Sequence, residues 1–160
     1  MKNKYSMQFV NRMLLPIFTV VFSLFVTKVT FAQPGQCLGG GCTAAGFSWG
    51  AAQSTTSATF VNSVAGTYGG EYNTYNVTSG NTYEWSLCTS DGATNPTFDA
   101  TLTLKNTANT ILCYSDDVCS ATPKISWTAT FTGQVRVLVM QYPCATNSNS
   151  HTVRWRQSNA

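Results

Sequence analysis

KISWTATFTGQVRVLVMQY, residues 124–142, alternates in its first half and stops alternating in its second. Ile125, Trp127, Ala129 and Phe131 fall on one side of an extended chain, and Ser126, Thr128 and Thr130 on the other. A period of two marks a strand with one buried face. TGQ (132–134) then turns the chain. VRVLVMQY is apolar on both faces, which predicts a strand near the centre of a sheet.

Working outward, the same alternation recurs. TYEWSLC sets Tyr83, Trp85 and Leu87 on one face with Glu84 and Ser86 on the other, and DATLTLKN aligns Ala100, Leu102 and Leu104. EYNTYNV (71–77), TILCY (110–114) and TVRWR (152–156) read as further strands, the last with Val153 and Trp155 inward. STTSATFV (54–61) reads as the first strand. Turn signals separate these segments, and no helical period follows residue 32. About eight short strands bury their apolar faces most simply as two packed antiparallel sheets, an all-β sandwich.

The N-terminus reads as a secretory leader. Lys2, Lys4 and Arg12 precede an apolar run over residues 14–26, and Thr30 and Ala32 occupy the small-residue positions before a cleavage point. The leader is expected over residues 1–32. A free chain from Gln33 would be extracellular, at the cell surface or periplasmic, with no membrane segment left. The remainder holds five cations against six anions, a net charge of −1. Without a basic stripe, nucleic acid is excluded as a partner class. A Gly/Ser/Thr-rich segment (33–69) and the strand-rich 70–160 are expected to form one domain. Six cysteines, one histidine and no CxxC predict three disulfides rather than a zinc set. Proximity favours Cys37–Cys42 and Cys113–Cys119, leaving Cys88–Cys144.

Two readings of ILCYSDDVCS (111–120) stand. One is a turn pinned by its cysteines, its aspartates accepting backbone N–H groups. The other is a calcium loop in which Asp99, Asp116 and Asp117 are ligands, with Asp91 and the carbonyls of TSDGATNP adding oxygens. Catalysis has little support. His151 stands alone where a strand begins and is expected to be exposed, and Glu71 and Glu84 fit outward-facing alternation. No enzyme activity and no required cofactor are expected. Trp85, Trp127 and Trp155 read as core, while Trp49, Tyr68, Tyr72 and Tyr75 sit in glycine-rich or polar surroundings as candidate sugar-stacking rings. QYPCATNSNSH (141–151) reads as a polar contact loop.

In order, EYNTYNVTSGNTYEWSLC, FDATLTLKNTANTILCYSDDVC and ISWTATFTGQVRVLV resemble the bacterial pre-peptidase C-terminal (PPC) domain, most closely a cysteine-bearing variant found in secreted Bacteroidetes proteins. The likeness spans roughly residues 70–156. It implies a jelly-roll-like β-sandwich that serves binding, targeting or secretion beside another domain. No peptidase or other partner domain is expected beside it within residues 33–160. Some collagen-binding relatives hold calcium through acids at the N-terminal edge, yet residues 33–70 contain no acid, so that site does not transfer. The expected function is a secreted, non-catalytic adhesion module for a polysaccharide or an extracellular protein surface. The alternatives are a structural subunit of an extracellular assembly and, third, a small secreted hydrolase.

Overall fold

In chain order the strands are β1 (Phe47–Ser48), β2 (Val61–Asn62), β3 (Thr67–Gly69), β4 (Glu71–Val77), β5 (Thr82–Ser86), β6 (Ala100–Asn106), β7 (Ile111–Ser115), β8 (Lys124–Thr128), β9 (Gly133–Gln141), β10 (Asn147–His151) and β11 (Arg154–Gln157). Among the described residues, a 3₁₀ turn covers Thr89–Asp91. The structure, a computed structural model, describes residues 34–94 and 96–159. The expected leader lies outside them. No helix among the described residues is long and apolar enough to cross a membrane.

One sheet has the order β1-β4-β9-β6-β7, the other β2-β11-β5-β8, and β3 and β10 form a separate two-stranded ribbon. Only β1 joins its neighbour in parallel. From β4 onward the chain passes repeatedly between the sheets, as the expected jelly-roll-like sandwich requires. Eight strands have four residues or more, and β1, β2 and β3 are shorter. STTSATFV does not form the first strand: residues 54–60 run irregularly, and only Val61 and Asn62 pair, against β11. NSNSH is not a loop but β10.

The core lies where the alternating faces meet. Tyr75 and Val77 of β4, Val135, Val137 and Val139 of β9, and Leu102 and Leu104 of β6 face Tyr83 and Trp85 of β5, Ile125 and Trp127 of β8, and Trp155 of β11. Tyr75 enters edge-on between Trp155 and Trp85, at centroid distances of 4.6 and 5.5 Å. Trp85 and Trp155 are themselves cross-strand partners. Burying a large side chain of this kind contributes about 1.5–3 kcal/mol.

β9 is central, as its pattern predicts, and the N-terminal segment covers its second face. Leu138 and Met140 pack there with Cys42, against a half-buried Tyr72. The Cys42 N–H donates to Thr103 Oγ1 (3.0 Å), and Lys105 Nζ donates to the Ala44 carbonyl. Before reaching that face, the segment stitches the sheets together at their other edge. Gln36 bonds to β8 through Lys124 O and the Ser126 N–H, and Leu38 exchanges both backbone bonds with Tyr114 of β7.

All six cysteines are oxidised, but in a different pairing from the proximity expectation. The bridges are Cys37–Cys113, Cys42–Cys144 and Cys88–Cys119. Cys37 lies beside β7 and meets Cys113 within that strand, while Gly39–Gly41 carry the chain over the sheet until Cys42 reaches Cys144 beyond β9. Cys119, past the end of β7, meets Cys88 at the end of β5. Three disulfides place the chain in an oxidising environment.

Unreduced peptide mapping is expected to recover these three cross-links and no Cys37–Cys42 loop. Each bridge closes 31 to 102 residues of chain. Removing one is expected to lower stability by about 4 kcal/mol in chemical denaturation. Tyr75→Ala is expected to cost about 3–5 kcal/mol as a core truncation.

Candidate functional site

Gly46-Phe-Ser-Trp-Gly50 forms a short edge piece of the five-stranded sheet, with glycines at both ends at φ of 72° and 73°. A Cβ at Gly46 would stand 2.6 Å from Leu138 Cδ1, and one at Gly50 would stand 2.6 Å from Val64. Both the backbone angle and the close approach require glycine. Between them the chain bonds to β4 and leaves its rings outside: Phe47 is 77% exposed and Trp49 38%. Tyr68, on β3, is 40% exposed.

This corner is rigidly held. The Trp49 indole N–H donates to Ala65 O (3.0 Å), its backbone N–H donates to Tyr72 O (2.9 Å), and its carbonyl accepts from Asn73 Nδ2 (2.9 Å). Asn73 is fixed in turn. Its Oδ1 accepts from Ser63 Oγ (3.1 Å) and Thr67 Oγ1 (3.2 Å), and Ser63 Oγ lies 2.8 Å from the Tyr75 hydroxyl. Phe47 stands in register with Glu71, whose carboxylate accepts the Tyr68 N–H at 2.8 Å.

Of the four rings expected to stack on a ligand, Trp49 and Tyr68 are placed for it. Tyr72 is half-buried on the other face beneath Arg136, whose guanidinium carbon is 4.8 Å from the ring centre. Tyr75 is wholly buried and excluded as a ligand contact, since odd-numbered β4 positions face the second sheet. Burial raises its hydroxyl pKa well above the ordinary tyrosine value. Phe47 was not foreseen. The glycine bracket around FSW was the available signal.

The carboxylates tell two stories. Glu84 is not solvent-facing. It is buried on the outer face of the four-stranded sheet, 2.7 Å from Arg156 and 3.6 Å from Lys124. Asp91 takes Lys124 at 3.2 Å and Ser86 Oγ at 2.7 Å, so it is not free to join a calcium site. The Phe60 ring lies over Lys124 and Arg156. Arg154 donates to Phe60 O and to Asn62 Oδ1, so the two arginines are built into this face rather than solvated. Glu71 belongs to the other sheet and has its own partner, so the two glutamates make no acid–base pair.

Asp99, Asp116 and Asp117 do converge, with one carboxylate oxygen from each lying within 4.8 Å of the others. Burial, and then the charge of Asp117, raise the Asp116 pKa, against a hydrogen bond from the Tyr114 hydroxyl at 3.2 Å. The Tyr114 hydroxyl is pushed up to about 12 by burial and by Asp116. Three carboxylates are the hard-oxygen donors calcium takes, but three oxygens are about half of a shell of six to eight. The turn closes without an ion: the Val118 and Cys119 N–H groups both donate to Thr122 O, and Thr122 Oγ1 donates back to Cys119 O.

His151 is not exposed. It is 2% accessible on β10, edge-on to Phe98 at 6.0 Å, and neither ring nitrogen has a hydrogen-bond partner. It cannot serve as a base for a surface substrate.

Residues 61–157, more than half of the chain, match a family described as a domain of unknown function (DUF8695). The chain belongs to this family. No curated protein matches it. In this DUF8695 member the matched span runs from β2 to the last residue of β11, and so takes in Tyr68 and four of the six cysteines. Cys37, Cys42, Phe47 and Trp49 precede it. Two of the three bridges therefore tie the family region to the segment that carries most of the exposed corner.

Burial pulls the His151 pKa down from 6.5 to about 4. Between those values the unfolded chain is protonated and the folded one is not, so stability rises with pH through the window. His151 accounts for on the order of 3 kcal/mol that is complete above pH about 6.5 and lost towards pH about 4. Denaturation midpoints of His151→Leu are expected to show a shallower pH slope than wild type across that interval.

Proposed function

We propose that this domain is a secreted, non-catalytic module that adheres to a polysaccharide surface through Phe47, Trp49 and Tyr68. The observation that carries this reading is the exposure of three aromatic rings at one sheet corner, with the Trp49 backbone and indole fixed by three hydrogen bonds. Such rings offer large apolar area at little entropic loss, and amide-rich surroundings suit neutral hydroxyls better than ions. The resemblance to PPC domains supports an accessory, targeting role. The sequestration of His151 and the pairing of Glu84 with Arg156 and Lys124 support a role without catalysis. Export by the leader accords with the three disulfides, and N-terminal sequencing of the exported protein is expected to begin at Gln33.

The purified chain is to be tested for retention on cellulose, chitin and insoluble β-glucan, with collagen alongside. Retention on a polysaccharide is expected, with Trp49→Ala and Tyr68→Ala each weakening it by about tenfold, or about 1.4 kcal/mol. Chelator is expected to leave retention unchanged, because the aspartate cluster lies just before β6 and just after β7, at the opposite edge of the sheet from β1. Retention on collagen alone would replace the polysaccharide with a protein surface. Retention nowhere, or retention indifferent to both ring substitutions, would overturn the proposal.

A further inference from the structure

We infer that a groove at the other end of the sandwich is a second binding site, for a neutral, hydroxyl-rich ligand such as a short stretch of an uncharged oligosaccharide. The groove opens where β4 ends, β5 and β9 begin and β11 ends, so both sheets contribute to it; its volume is about 650 Å³. The aromatic corner lies at the start of β4, and this site stands without it.

The lining has an unusual chemistry. Tyr83 and Val77 form the floor, and the walls are side-chain amides and hydroxyls. No carboxylate, amine, guanidinium or imidazole lines it, although charged side chains stand elsewhere on these same strands. A sugar ring presents the matching surface, with apolar C–H faces and a rim of hydroxyls that both donate and accept. An amide can bond two neighbouring hydroxyls, since it offers donor and acceptor side by side. A charged ligand would find no counter-ion here.

The walls are pre-formed. Segment 54–56 is held against β4 by backbone bonds from Gln53 N–H to Thr74 O and from Asn76 N–H to Gln53 O. Asn76 is oriented from both sides, donating to Ser54 Oγ (2.9 Å) and accepting from Gln134 Nε2 (3.1 Å). That leaves the Gln134 carbonyl oxygen open. The floor is locked by the Thr78 N–H on the Tyr83 hydroxyl (3.0 Å). Among the described residues, the half-buried side-chain amides of Asn81 and Gln157 make no hydrogen bond to protein. Fixed amides with unused donors and acceptors around an apolar floor are the arrangement of a polar-ligand site.

The test is a titration of the ¹⁵N-labelled full-length chain with cellohexaose, maltohexaose, laminarihexaose and xylohexaose at millimolar concentration, with a sulfated hexasaccharide as the charged comparison. At least one neutral probe is expected to shift the side-chain NH₂ signals of Asn76, Asn81, Gln134 and Gln157, with an affinity that added salt leaves unchanged. Gln134→Ala and Gln157→Ala, which remove surface amides, are each expected to weaken that probe by about fivefold. Trp49→Ala/Tyr68→Ala is expected to leave these shifts intact, which separates this site from the corner. The inference is overturned if no neutral hexasaccharide moves these signals, if the shifts persist in Gln134→Ala/Gln157→Ala, or if the sulfated probe binds here more tightly than every neutral one.

Discussion

Tyr75 reaches from the five-stranded sheet into the space between Trp85 and Trp155 of the other, and this contact sets the separation and relative placement of both sheets. Edge-on aromatic packing has preferred distances and angles, so three rings fix geometry that branched aliphatics alone would leave loose. The same residue's hydroxyl is what makes the polar chain through Ser63 and Asn73 possible. That chain ends on the carbonyl of Trp49, outside the core. A surface ring is thus positioned by a buried one. The link from sequence to the proposed binding corner runs through a tyrosine that lies outside it.

On the far side of the smaller sheet, Glu84, Asp91, Lys124 and Arg156 form a second, ionic layer. Buried pairs of this kind add little net stability against a well-packed apolar replacement, but breaking one leaves a stranded charge at a cost of about 3–5 kcal/mol. Their effect here is on register. Lys124 opens β8, Glu84 lies in β5 and Arg156 in β11, so a shift of one residue in any of these strands would turn its charge into the hydrophobic core.

Alternation made the sandwich legible, because a period of two is imposed by the strand itself and survives whatever the neighbours are. Ile125, Trp127, Trp85, Leu102 and Trp155 all lie where that rule puts them. The cysteine pairing was not legible. Short loops favour near neighbours only when the intervening chain stays local, and Gly39–Gly41 instead lead it from the edge strand β7 onto the face over β6 and β9. Tyr75 and Tyr72 look alike in EYNTYNV, and only the choice of which face meets the second sheet separates a core ring from a covered one. His151 misled because a lone polar residue after NSNS reads as exposed, whereas β10 turns it beneath Phe98. The groove left no local signal, since its amides come from distant segments (Asn76 and Asn81 against Gln134 and Gln157) and converge only when both sheets are in place.

The bridge pattern also bears on how the domain would meet mechanical load. Tension applied between Cys37 and Gln157 does not have to follow the backbone. It can cross at Cys42–Cys144, leaving only residues 37–42 and 144–157 in the taut path. Even with every strand pulled apart, that path extends to about 60 Å, against about 400 Å for the same interval without cross-links. The strands from β1 to β9 are shielded as a closed loop, while β10 and β11 lie in the taut path. Pulled between those points, the oxidised chain behaves as a short tether in which only β10 and β11 can be stripped from the fold.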